Sequence, residues 1–153
     1  GAARLDLFGV TGFFRVSLWR AALNMAADHP LLGVGLDNFL YAYRGRYILD
    51  AAWQEPNLNH PHNIVLDFAT RLGLLGLLAG AWLLFEAARA LWAAIRRADA
   101  AWLPVAAGLA GSLAAMLAHG LVDHSFFLVD LAFVFFLILG IAVWLEQGPE
   151  AIN

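Results

Sequence analysis

Cysteine is absent from this 153-residue chain, which excludes disulfides, thiolate catalysis and thiolate metal sites. Charge is scarce as well. Asp, Glu, Lys and Arg together make up 14% of the residues, against about 25% in an ordinary soluble domain. Lysine is missing altogether, so the nine basic residues are all arginine, a bias that carries little functional weight. A formal net charge of −3 excludes a nucleic-acid binder that works by neutralising phosphates. Neither a G-x-x-x-x-G-K phosphate loop nor an H-E-x-x-H metal helix occurs. The chain begins without Met and shows no basic segment leading into an apolar core, so no targeting signal is visible. It reads as a piece of a longer protein.

Apolar residues are what the chain has in excess: they make up 62% of it, and the mean hydropathy is +0.71. A single domain of 16.6 kDa can hardly hide that much apolar surface from water, which argues against a free soluble monomer and leaves a very apolar soluble helical bundle as the contrasting reading. High hydropathy equally excludes an extended disordered chain. Three apolar stretches, at about residues 68–92, 102–122 and 126–145, each approach the roughly 20 residues that cross a hydrocarbon core as a helix. Gly73, Gly76, Gly80, Gly108 and Gly111 suit close packing between such helices. The expected fold is all-α: a polytopic membrane fragment with an external helical segment over residues 1–62, then three transmembrane helices and a short cytoplasmic tail within residues 63–153. Orientation comes from Arg89, Arg96 and Arg97 at the end of the first stretch, which the positive-inside rule places on the cytoplasmic side. The turn at Asp123 and His124 and the segment before residue 63 then lie outside.

The external segment holds the candidate chemistry. Residues 13–28 read as a helix that Pro30 stops. At 100° per residue, Ser17, Arg20, Asn24 and Asp28 share one side, and Leu18, Trp19, Ala22, Met25 and Ala26 the other. Arg15 falls in the middle of the apolar side and near the helix N-terminus, where the dipole disfavours a cation. It therefore calls for an anionic partner, a structural carboxylate or lipid headgroup serving as well as a substrate. Gly33 and Gly35 after Pro30 form a tight turn. Asp37 is expected to cap a short helix carrying Phe39, Tyr41, Tyr43, Arg44, Arg46 and Tyr47, a set suited to a glycan- or headgroup-facing surface or to an interfacial aromatic belt.

His60-Pro61-His62-Asn63 leads into the first span, whose helix starts at Pro61 or Asn63. Either start leaves His62 at a helix N-terminus on the outer boundary, where imidazolium is disfavoured and the proton-accepting form a general base needs is favoured. A capping or interfacial histidine is the alternative. Asp67 and Arg71, four residues apart, are set to pair. His60, His62, Asp123 and His124 all fall outside and could supply metal ligands, although their spacing matches no usual site type. His119 and Asp123, one turn apart at the outer end of the second span, suit either function or an interhelical hydrogen bond.

Several pieces together resemble the O-antigen ligase and polymerase superfamily of inner-membrane proteins, in its C-terminal portion. They are Arg15-x3-Trp19, then residues 29–39 (HPLLGVGLDNF), His62-Asn63-Ile64-Val65-Leu66, Gly73-Leu74-Leu75-Gly76-Leu77 and His119-Gly120-Leu121-Val122-Asp123. The resemblance covers most of the chain. It implies an inverting glycosyltransferase of cell-surface polysaccharide assembly that moves a glycan from a polyprenyl-diphosphate donor to a lipid- or glycan-linked acceptor hydroxyl, with neither metal nor ATP as cofactor. It embraces ligases of lipopolysaccharide, repeat-unit polymerases and protein O-glycosylating enzymes alike. By motif match His62 would be the catalytic histidine and Arg15 one of the essential arginines. Arg44, Arg46 and Asn63 would assist substrate binding. A further essential arginine of the ligases lies earlier, where this chain offers only Arg4. The contrasting readings are a non-enzymatic membrane module, such as a transporter or sensor subunit, and a metal-dependent intramembrane hydrolase.

Overall fold

The computed structural model describes residues 7–123 and 126–147, and everything ordered among them is helical. Helix α1 runs Leu7–Asp28, and the short α2 runs Phe39–Ala42. A π-helical turn, Tyr43–Tyr47, and a 3-10 turn, Asp50–Ala52, follow. The long helices are α3 (Ile64–Arg97), α4 (Leu103–Gly120) and α5 (Val129–Gln147). All three are long and apolar enough to cross a membrane.

The chain divides into two compact units, residues 1–78 and 79–153. In the first, α1 contributes Leu18, Ala21, Ala22 and Met25, an i, i+3, i+4, i+7 face, to a core completed by Phe39, Tyr43 and Tyr47. Helix α1 begins well before residue 13, and its polar side is narrower than expected, because Ser17 is buried with Leu18. The π-turn closes through the Ile48 N–H donating to the Tyr43 carbonyl at 2.8 Å. It buries Tyr43 and Tyr47 while leaving Arg44 and Arg46 exposed. Asp37 does not cap α2: Asn38 holds the cap position, and its side-chain amide donates instead to the Val34 carbonyl at 2.8 Å.

Helix α3 is broken at Gly73, whose φ of 64° and ψ of −157° lie outside the helical region. A break of this kind orphans the carbonyls of Thr70 and Arg71 and the amides of Leu74 and Leu75, which would otherwise bond to each other. Residues 30–35 take up all four. Val34 N–H donates to Thr70 O at 2.8 Å and Gly35 N–H to Arg71 O at 3.0 Å; Leu74 N–H donates to Pro30 O at 2.8 Å and Leu75 N–H to Leu31 O at 3.3 Å. The two backbones touch, since a Cβ on Gly33 would lie 2.5 Å from Thr70 O and one on Gly73 would lie 2.4 Å from the Leu31 carbonyl carbon. Gly73 thus serves a backbone exchange rather than contact between membrane helices, and Gly108 and Gly111 meet no atom within 4 Å among the described residues. This docking is why the first unit takes in the start of α3, past residue 62.

In the second unit α3, α4 and α5 pack through Ala87, Ala90, Leu91, Leu113, Phe135, Ile138 and Ala142. Their outward faces remain apolar, with Trp82, Phe85, Trp92 and Phe133 each more than 60% exposed. Such faces fit hydrocarbon rather than water. At one end Arg89 bonds Glu86 at 2.8 Å and Glu146 at 2.7 Å.

Candidate functional site

His62 stands on a strained backbone. Its φ of 50° makes it the sole non-glycine residue in the left-handed region among the described residues. That conformation costs a side-chain-bearing residue about 1–2 kcal/mol. The neighbouring contacts account for its persistence. Trp19 on α1 donates its indole N–H to the Pro61 carbonyl at 2.9 Å, gripping the peptide unit that enters His62. On the other side Asn63 caps α3, its Oδ1 accepting from the amides of Val65 at 3.0 Å and Leu66 at 3.1 Å. The helix therefore starts after Asn63, and this side chain is committed to the cap. The rings of His60 and His62 lie 4.2 Å apart with planes inclined by 59°.

Arg15 lies one turn before Trp19 on the same face of α1. It is partly buried and forms no ion pair among the described residues. The face of α1 that grips the His62 loop thus also carries a cation without a carboxylate.

Arg71 holds the loops that flank this arrangement. Its side chain is buried and bonds Asp67 at 2.6 Å, as the i, i+4 spacing predicts. It also donates to the carbonyls of Leu36 and, at 3.0 Å, Asn59. One guanidinium therefore fixes the glycine turn, the approach to His60 and the first turns of α3 together. Nothing local in the sequence points to those two carbonyls. The Trp19–Pro61 bond, between residues 42 apart in the chain, was similarly hidden, and only the pairing of Trp19 with Arg15 in a shared motif hinted at it.

Arg46 belongs to a different part of the unit. It pairs with Asp28 at 3.0 Å, and Tyr47 O–H donates to the same carboxylate oxygen at 2.9 Å. Burial and then this hydrogen bond raise the Tyr47 phenol above its usual value, while burial followed by the charge of Glu55 raises Tyr43. Asp28 lies 13 residues along α1 from Arg15, or about 20 Å at 1.5 Å per residue. Arg44 is exposed and has no ion pair among the described residues. The expected set therefore separates into His62 and Arg15 near Trp19, and Arg44 and Arg46 near the far end of α1. In the second unit His119 approaches Asp123 at 4.0 Å. His124 and Arg4 lie outside the described residues.

Among the described residues all regular structure is helical, and three helices are long and apolar enough to cross a membrane, the make-up of a multi-pass membrane protein. Residues 9–81 match the model of the family described as O-antigen ligase (Wzy_C). That stretch takes in α1 from residue 9, the glycine turn, the π-turn, His62 and the break at Gly73; over it the resemblance to the superfamily's C-terminal portion is borne out, and the His119–Asp123 piece lies beyond it. The match supports an O-antigen ligase- or polymerase-like function at a membrane. No curated protein and no solved structure matches the chain.

Proposed function

We propose that the protein is a membrane glycosyltransferase that moves a glycan from a polyprenyl-diphosphate donor to an acceptor hydroxyl in cell-surface polysaccharide assembly. The observation that carries this reading is the seating of His62: a left-handed backbone held between the Trp19 bond to Pro61 and the Asn63 cap, beside the helix face that bears Arg15. Strain retained at a histidine within the residues that match the family favours a functional role for that side chain. His62 removes the proton from the acceptor hydroxyl. The oxygen attacks the anomeric carbon from the face opposite the diphosphate, and the bond from that carbon to the diphosphate oxygen breaks with its electron pair going to the leaving group. Arg15, partly buried where water screens little, offsets the charge growing on that diphosphate.

Arg44 contacts glycan hydroxyls farther along α1, Arg46 assists through its pair with Asp28, and Asn63 contributes by holding the start of α3 below His62. No step needs a metal or ATP. The protein lies in the inner membrane with residues 1–62 outside, the orientation that the arginines at the opposite end of α3 favour. In this orientation His62 stands above the level where a lipid diphosphate meets water. His62→Ala in the full-length protein should abolish glycan transfer at normal protein levels. Transfer at the wild-type rate would overturn the assignment.

A further inference from the structure

Leu31 and Leu32 are 61% and 70% exposed. The turn is held by its backbone: the carbonyls of Pro30 and Leu31 and the amides of Val34 and Gly35 are all bonded to α3 around Gly73. The side chains therefore project away from the segment that anchors them. On α3, next to these bonds, Leu74, Leu75 and Leu78 are also about half exposed or more.

The depth of that surface follows from chain length. A hydrocarbon core takes roughly 20 helical residues. Counting back that distance from Arg89 reaches about residue 69, and from Arg96 about residue 76. Gly73 falls between the two. The charges agree, since Arg71 is the last charged residue before an uncharged run that lasts to Glu86. The amides of Leu74 and Leu75 would be costly to leave unbonded at such a depth, and non-helical backbone is tolerated there when protein groups satisfy it. The exchange with residues 30–35 meets that requirement.

We infer that the turn at residues 30–35 is a membrane-entering wedge, with Leu31 and Leu32 inserted among the lipids of the leaflet that adjoins the His62 segment. The occupant of this apolar turn is lipid, because its exposed leucines are bonded through their backbone to a membrane-competent helix, beside exposed leucines of that helix, at the depth of the boundary. The wedge ties α1 and the Arg71-held loops to a fixed height over the bilayer. It goes beyond the proposed reaction and stands whether or not His62 is catalytic.

The absence of cysteine allows a direct test in the full chain, reconstituted in vesicles of phosphatidylethanolamine and phosphatidylglycerol. Single variants Leu31→Cys, Leu32→Cys, Leu74→Cys and Tyr41→Cys are labelled with an environment-sensitive fluorophore. Quenching is compared between a lipid bearing a nitroxide near its headgroup and aqueous iodide. Probes at positions 31, 32 and 74 should be quenched several-fold more by the nitroxide lipid than the probe at position 41, and should be shielded from iodide. Iodide quenching at position 32 equal to that at position 41 would place the turn in water and overturn the inference. Shielding from both quenchers at positions 31 and 32 would mean that protein covers the turn, and would overturn it as well. Failure of the nitroxide lipid to reach position 74 would contradict the depth on which it rests.

Discussion

At His62 the conformation and the proposed chemistry make opposite demands, so they can be separated by substitution. Glycine adopts a φ of 50° without the penalty that a Cβ brings. His62→Gly relieves about 1–2 kcal/mol of backbone strain while giving up the ring contact with His60, so it should keep the fold at close to the wild-type unfolding temperature and yet transfer no glycan. Loss of stability together with activity would assign the histidine a structural role. Arg15→Ala should keep the fold and lower transfer by about 10²–10³-fold, the range seen when a group that stabilises developing charge is removed. Trp19→Phe removes one hydrogen bond, worth about 1 kcal/mol, and should lower activity more than that loss of stability explains, because the His62 loop is released. Denaturation midpoints measured beside initial rates would show it.

Among the elements, the broken helix and its partner turn form one device. Alanine at Gly33 or Gly73 must adopt positive φ and also place a Cβ within about 2.6 Å of backbone atoms across the contact. Each should destabilise the first unit by more than about 2 kcal/mol, whereas Gly45→Ala, which meets no atom within 4 Å, should be near neutral. Thermal unfolding in detergent would separate them. Arg71→Met would remove the cation paired with the buried Asp67 carboxylate and leave the Leu36 and Asn59 carbonyls without that donor, costing about 3–5 kcal/mol. The double variant Asp67→Leu/Arg71→Met should recover part of that loss, and a double-mutant cycle measures how much.

The same elements show what a sequence can and cannot disclose. The Asp67–Arg71 pair was legible because it is a four-residue relation within one helix. The start of α3 was legible to within two residues, because Pro61 and Asn63 both suit that position and the cap bonds of Asn63 decide between them. The break at Gly73 was not, because a glycine among leucines reads as membrane-helix packing until the turn from 40 residues upstream is laid against it. Its signal was the coincidence of Pro30, Gly33 and Gly35 with Gly73, which spacing alone does not connect. His62 and Arg15 stood out as residue types, but what joins their elements, the Trp19 indole bonded to a carbonyl far along the chain, has no local pattern.

Over the whole molecule, hydropathy is the dominant fact. Three helices expose apolar faces along their length, and the buried charged pair of Asp67 and Arg71 lies in the first unit. The first unit builds a small core from α1, α2 and the π-turn and bonds it to α3 through backbone and Arg71, so the His62 segment is held without a large hydrophobic interior. A segment fixed in this way beside a membrane-competent helix suits the proposed donor, whose isoprenoid tail stays in the bilayer while its glycan reaches outward. That donor is the central element of the proposed reaction. Mass spectrometry of lipid extracts from cells carrying the full-length protein, compared with the His62→Ala and Arg15→Ala variants, tests it most directly. Lipid-diphosphate-linked glycan should accumulate in both variants, as long chains for a ligase or single repeat units for a polymerase. An unchanged lipid pool, with both variants inserted at wild-type levels, would contradict the account and favour a non-enzymatic membrane module.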